Sequence, residues 1–206
     1  MSEGQQAWEE HYGERERVWS GRVNVRLAEV VEPMTPGRAL DLGCGEGADA
    51  MWLAEHGWHV TAVDISQTAL DRAAADAMAR NLSHRIDFQR HDLTASFPEG
   101  VFDLVSAQFL HSTVPLDRAR LLRRAALAVA PGGTLVVVDH GAAPPWASKL
   151  NQHHHEFPTA GEVVSSLNLD DSQWDRVRVA AVERDALGPQ GQQAVLTDNV
   201  MVLRRR

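Results

Sequence analysis

The sequence predicts an α/β fold: a doubly wound, seven-stranded sheet, mostly parallel with one antiparallel strand, and helices on both faces. Three observations predict it. Short apolar runs without alternation, as at residues 39–42, 58–63 and 101–107, read as parallel strands buried on both faces. Segments of helical spacing separate them, so strand and helix alternate along the chain. Two strand-like runs near the end, 174–184 and 194–203, flank the Gly188-Pro-Gln-Gly191 turn and read as a closing hairpin.

In order, residues 5–19 are polar with spaced aromatics, Trp8, Tyr12 and Trp19. Trp8 and Tyr12 are four apart and share a helix face, and Trp19-Ser-Gly21 breaks that helix. Residues 24–31 form a second helix with Val25, Leu27, Ala28 and Val31 apolar, ended by Pro33 and Pro36-Gly37. Ser66 is a good N-cap for a helix over 67–80, whose face is Ala69, Leu70, Ala73, Ala77 and Met78. A third strand spans 85–90. Pro115 opens a helix over 116–130, which Pro131-Gly-Gly133 stops before a fifth strand at 134–139. Residues 141–158 read as a long loop with Pro144-Pro145, Trp146 and three histidines; 159–167 form a short helix. Neither repeats nor a linker is evident, so residues 1–206 read as one domain, with 1–36 a helical cap or lid.

The stretch from Ala39 through Gly43-Cys-Gly-Glu-Gly47 to Val63-Asp64 is strand, glycine turn, helix, strand, acid: one βαβ unit. The glycines allow a sharp turn and close approach of a ligand to the backbone. A helix amino terminus behind the turn offers unpaired N–H groups. Asp64 follows Gly43 by 21 residues, at a neighbouring strand tip, where a carboxylate can accept both hydroxyls of a ribose. The unit predicts a nucleoside-containing cofactor. Gly43-x-Gly45-x-x-Ala48 also satisfies the loose dinucleotide pattern. Asp41, two residues before the first glycine, stands where dinucleotide folds usually carry an apolar residue. A second acid, Asp92, follows the third strand, placed for an adenine amino group.

With these residues the chain resembles the class I S-adenosylmethionine-dependent methyltransferases, which have a Rossmann-like fold. The resemblance implies that Asp41, Gly43, Gly45 and Gly47 hold the methionine part, Asp64 the ribose and Asp92 the adenine. Cys44, Ile65, Leu93 and Gln108 complete the expected cofactor-binding set. The helix, Pro-Gly-Gly and apolar strand around Pro131 add to the resemblance. Trp8-x3-Tyr12 followed by Trp19-Ser-Gly21 is similar to the amino-terminal segment of the thiopurine, tellurite-resistance and halide or thiol methyltransferases. In those relatives the segment folds over cofactor and substrate, which puts Tyr12 and Trp19 among the cofactor contacts.

Composition bounds the rest. Residues are 44% hydrophobic and 23% charged, ordinary for a soluble globular protein. A formal net charge of −8 argues against a nucleic-acid binder. One cysteine excludes an internal disulfide framework, and Cys44 reads as a small residue that fits the turn rather than a nucleophile. No leader-like start or membrane-length apolar stretch is present, so a cytoplasmic protein, monomer or homodimer, is expected.

Methyl transfer from a sulfonium is an in-line displacement that needs no metal, and alignment of the nucleophile supplies much of the rate. The acceptor, a small molecule reacting through S, Se or Te, N or O, belongs beyond the carboxyl ends of the strands. Gln108, Phe109, His111 and His140 stand there, with His111 and His140 as candidate proton acceptors. His153-His154-His155 would rarely chelate one ion, because adjacent residues point apart, and no metal is expected. Two alternatives stay open. An NAD-dependent oxidoreductase would need hydride-transfer machinery such as Tyr-x-x-x-Lys, which Tyr12 and Lys149, the one tyrosine and one lysine, do not form. The other is a cofactor-binding protein without catalysis.

Overall fold

In the computed structural model, which describes residues 1–112, 114, 116–146, 157–188 and 190–206, strands β1 (Arg38–Leu42), β2 (His59–Asp64), β3 (Ile86–Arg90), β4 (Phe102–Gln108), β5 (Val129–His140), β6 (Trp174–Leu187) and β7 (Gln193–Arg205) form one sheet. Their order is β3-β2-β1-β4-β5-β7-β6. Pairing is parallel from β3 through β5, while β7 runs antiparallel to both neighbours. The sheet class and its single reversed strand are those the sequence predicts. The described helices are α1 (Glu3–Gly13), α2 (Val25–Val31), α3 (Ala48–Glu55), α4 (Gln67–Ala79), α5 (Arg118–Leu127) and α6 (Ala160–Ser166).

Two apolar layers clamp the sheet. On one face Leu27 and Val31 of α2, and Met51 and Leu53 of α3, pack with Val136, Val138 and Val200. On the other, Leu121 and Leu122 of α5 and Val163 and Val164 of α6 pack with Leu40, Leu42 and Val105. The central strands contribute to both layers, which is why they read as continuous apolar runs. The strand order reverses between β1 and β4, and a crevice opens beyond the carboxyl ends of such strands.

Several boundaries shift for local reasons. The first helix ends at Gly13 rather than Trp19, because Val18 and Trp19 spend their N–H groups on Glu46 instead of a helix. In α4, capped by Ser66 as predicted, Met78 is 69% exposed and leaves the apolar face to Ala69, Leu70, Ala73 and Ala77. Helix α5 is capped by the Asp117 side chain, which accepts from Arg120 N–H, and ends at Leu127. Strand β5 begins at Val129, pairing with Phe102, and the ladder resumes at Thr134, so Pro131-Gly-Gly133 bulges out of the strand. Pro115 and the three histidines 153–155 lie outside the described residues. Among the described residues, no helix is long and apolar enough to cross a membrane.

Candidate active site

Every strand that ends at the switch point delivers a polar group into one place. The turn after β1 ties itself to β2, with the Gly43 and Cys44 N–H groups donating to the Val63 carbonyl at 2.8 and 2.9 Å. Gly45 sits at φ +53°, a conformation that disfavours any side chain. A Cβ there would stand 3.0 Å from the Tyr12 hydroxyl and 3.1 Å from Trp19 Nε1. Gly47, the N-cap of α3, sits at φ +80°, and a Cβ would meet Ala73 of α4 at 2.8 Å, so its smallness serves helix packing.

Asp64 is 7% exposed. Its Oδ2 accepts the Gly45 N–H and its Oδ1 the Ser66 N–H, both at 2.9 Å. Each oxygen keeps a lone pair for a further donor. Burial raises the Asp64 carboxyl, opposed by those backbone bonds. Asp41 is buried beneath the turn, and its Oδ2 has no partner among the described residues. Burial pushes it well above the usual carboxylate range, and Asp49 and Asp64 add repulsion. Burial likewise pushes Asp49 up to about 6 against the Asn24 N–H, which donates to it at 2.7 Å. Buried Asp41 and Asp64 and half-buried Asp49 crowd one end of the turn, with no cation among the described residues paired with Asp41, a deficit that a bound cation would relieve. Cys44 lines the cavity with its thiol pushed well up by burial, unlike an activated nucleophile.

The amino-terminal segment lies across this turn. The buried Glu46 carboxylate is its anchor: it accepts the N–H groups of Val18 and Trp19 at 3.1 and 3.0 Å and pairs with Arg72 at 3.0 Å. Arg72 also donates to the Tyr12 carbonyl at 2.9 Å. Trp19 Nε1 donates to the Tyr12 hydroxyl at 2.9 Å, so the two rings meet edge to edge over Gly45 rather than presenting two open faces. Glu9 accepts from Thr68 N–H and Ser66 Oγ at the amino end of α4. Ser2 Oγ donates to Asp92 Oδ2 at 2.7 Å, and Asp92 Oδ1 accepts from Thr94.

Beyond β4 the backbone is strained: Phe109 has φ +50°. Its N–H still donates to Val138, and the kink lays its ring on His140, with centroids 4.3 Å apart. His140 also stacks on His111 at 5.7 Å. Burial, then the Arg118 charge, pushes His111 down to about 4, and burial lowers His140, so both rings are neutral at pH 7. Arg118 is paired with buried Asp139 and donates to the Leu110 carbonyl, holding the loop that carries His111. His111 Nε2 lies 3.8 Å from Asp139 Oδ1, beyond hydrogen-bond range. Gln108 donates to Ser106 Oγ at 3.0 Å, while its Oε1 is buried without a partner among the described residues.

A cavity of about 1140 Å³ joins these groups. That exceeds the roughly 300–1,000 Å³ of a pocket for one drug-sized ligand, so a cofactor and an acceptor fit together. Its wall includes Tyr12, Trp19, Gly43, Cys44, Gly45, Asp64, Ile65, Asp92, Leu93, Gln108 and His111. Asp41 and Gly47 stand behind the wall, and His140 stacks behind Phe109 rather than on the cavity. Sequence reasoning missed Glu46, Asp49, Asn24 and Arg184. Glu46 had a signal, an acid inside a glycine turn; the others are brought in only by tertiary packing. Among the described residues, no His, Cys, Asp and Glu group forms a metal site.

Residues 39–133 match the methyltransferase domain family. The 27-O-demethylrifamycin SV methyltransferase of Amycolatopsis mediterranei is 30% identical over 168 residues, 80% of this chain and 61% of that protein. Another curated relative is a ribosomal RNA small subunit methyltransferase of Alcanivorax borkumensis, 36% identical over 114 residues, 53% of this chain and 34% of that protein. The chain thus spans less than two thirds of the length of these curated relatives. Among solved structures, a protein described with the conversion of a disulfide bond into a thioacetal group in echinomycin biosynthesis superposes with a TM-score of 0.72 at 25% identity, covering 98% of this chain and 92% of that one. TehB from Haemophilus influenzae has a TM-score of 0.70 at 15% identity, over 96% and 67% of the two chains, a likeness of fold. Residues 39–133 therefore match a methyltransferase domain, and the chain resembles class I S-adenosylmethionine-dependent methyltransferases in fold, TehB among them in fold alone.

Proposed function

We propose that the chain transfers a methyl group from S-adenosylmethionine to a small-molecule nucleophile, with S, Se or Te, N and O acceptors all open. The observation that carries this is the unpartnered, buried Asp41 Oδ2 beneath a glycine cradle whose rim carries Asp64. Neither Asp41 nor Asp64 has a cationic partner among the described residues, whereas Glu46 is already paired with Arg72. When bound, the cofactor supplies an electrophilic methyl on a sulfonium and a cationic amino group. Asp41 and Asp49 would balance that charge. Asp64 would accept the ribose hydroxyls with its spare lone pairs, and Gln108 Oε1 would accept a donor from the methionine portion. Asp92 would take the adenine amino group by exchanging its bond to Ser2.

Residues 1–24 serve as a lid in this reading. Glu46, Tyr12 and Trp19 close it over Gly45 and exclude water from the displacement. His111, neutral and on the cavity wall, takes the acceptor's proton where the acceptor carries one. The relatives' names span ribosomal RNA and a rifamycin; the net charge of −8 favours a small acceptor here. Calorimetric titration with S-adenosylhomocysteine and with NAD tests the cofactor: tight binding of the first alone is expected, and NAD binding alone overturns the reading. Radiolabelled methyl transfer to small thiols, tellurite, amines and phenols tests turnover, and none across the panel favours a cofactor-binding protein without catalysis.

A further inference from the structure

We propose that the acceptor end of the cavity binds an oxyanion group, such as a carboxylate, on the guanidinium of Arg184, so that the acceptor is an anionic molecule. This rests on the methyltransferase reading above and names the substrate class of that same site.

The sheet order separates the two ends of the cavity. Asp64 and the glycine turn lie at the tips of β2 and β1, whereas Arg184 lies on β6 at the opposite edge, four strands from β1. At roughly 4.8 Å per strand, that is about 19 Å across the sheet, too far for Arg184 to serve the proposed cofactor contacts. It lines the cavity nonetheless.

Charge bookkeeping at this edge leaves a surplus cation. Arg178 pairs with Glu29 at 3.6 Å, Arg26 with Glu29 at 2.7 Å and with Asp198 at 3.5 Å, and Arg184 with Asp198 at 2.7 Å. Three guanidiniums therefore share two carboxylates. Arg184 bonds Asp198 through Nε, and its two terminal nitrogens have no acceptor among the described residues. Those nitrogens are a planar fork matched to a two-oxygen anion. The neighbouring Asp185 also lines the cavity, but it is exposed and forms no ion pair with Arg184 among the described residues. A second observation points the same way: Asn24, also lining the cavity, holds a buried Nδ2 with no partner among the described residues, a donor awaiting an acceptor. Phe109, just beyond β4 and so between β1 and β6 in the sheet order, supplies apolar wall between this fork and the glycine turn, so an acceptor with an apolar body and an anionic end fits.

The test uses the full chain saturated with S-adenosylhomocysteine and titrates benzoate, benzenesulfonate and the neutral isostere benzamide. The expected result is that at least one of the two anions binds tenfold or more tighter than benzamide; which one does so distinguishes carboxylate from sulfonate chemistry. Arg184→Gln should abolish that preference and leave S-adenosylhomocysteine affinity within twofold. Arg184→Lys, which keeps the charge that Asp198 needs but loses the fork, should retain part of it. Arg178→Gln removes the network's outer cation away from the cavity and should retain it all. The proposal is overturned if the wild-type complex prefers or equally binds benzamide, if it binds no probe, or if Arg184→Gln keeps the preference. Failure of S-adenosylhomocysteine itself to bind would instead overturn the cofactor reading.

Discussion

Glu46 Oε2 accepts the backbone N–H of Trp19 at 3.0 Å, so the amino-terminal segment is fastened to the glycine turn by a buried carboxylate. The same carboxylate holds Val18 and Arg72. Bonds to a charged acceptor contribute about 1.5–3 kcal/mol each. Glu46→Gln keeps the shape but removes the charge. Hydrogen exchange across residues 14–22 should then quicken, and affinity for S-adenosylhomocysteine should fall about tenfold or more while the sheet stays folded. Exchange unchanged in a folded mutant would show that the segment does not depend on this anchor.

Asp64 has a structural duty beside the ribose role that the sequence suggested. It is proposed to hold the ribose, and it holds Gly45 and Ser66 by their N–H groups. Asp64→Ala removes both acceptors and leaves buried donors unpaired, at about 1–3 kcal/mol each. The mutant should lose thermal stability as well as cofactor affinity. Asp64→Asn retains one acceptor oxygen and should recover part of the stability but little of the affinity. A ribose role is refuted if Asp64→Asn binds S-adenosylhomocysteine as the wild type does.

The fold was legible because burial on both faces of β1, β2 and β4 writes itself as unbroken apolar runs, and the glycine turn fixes the switch point. The gathering of Asp41, Asp64 and the three glycines around one turn was legible because it is set within one local βαβ unit. Arg184, Asn24 and Asp49 were not. Arg184 and Asp198 look like solvated strand positions until β7 slots between β5 and β6. Trp19 and Tyr12 were expected on a lid and both line the cavity, but their edge-on hydrogen bond depends on where Glu46 pins the chain. The α1 boundary failed likewise, because a distant carboxylate took the N–H groups a helix would have used.

Cofactor binding should depend on pH through the acids under the turn. Asp49 is pushed up to about 6 by burial, and Asp41 is likewise raised well above its ordinary value. A bound cation favours their charged forms, so binding releases protons. Affinity for S-adenosylmethionine should therefore rise as pH climbs through about 6 and drop below it, by up to tenfold per pH unit for one linked proton. Without ligand the sign reverses. Folded-state values above the unfolded 3.8 mean that the folded chain holds the extra protons, so stability declines as pH rises from about 4 to 6. Calorimetric affinities and melting temperatures from pH 4.5 to 7.5 measure both. Asp49→Asn should flatten the two profiles together, and two unchanged profiles would remove Asp49 from the linkage.

His111 gives the last prediction. Its ring stands on the cavity wall, held down to about 4 by burial and by Arg118, in a loop that Arg118 fastens to Asp139. A neutral imidazole there is ready to take a proton throughout the ordinary pH range. The charged form that accepting creates is disfavoured, so the proton must pass on to solvent, to which the side chain is 42% exposed. With a working acceptor that holds its proton, His111→Ala should lower kcat roughly 10²–10⁴-fold, the usual contribution of a positioned base. With an acceptor already ionised at the assay pH, the same mutant should lose little. In the wild type, the rate with protonated acceptors should be level with respect to His111 from pH 5 upward and fall as pH drops through about 4. Equal losses for both kinds of acceptor, with KM rising and no change in the pH profile, would make His111 a wall of the pocket and leave the deprotonation to solvent.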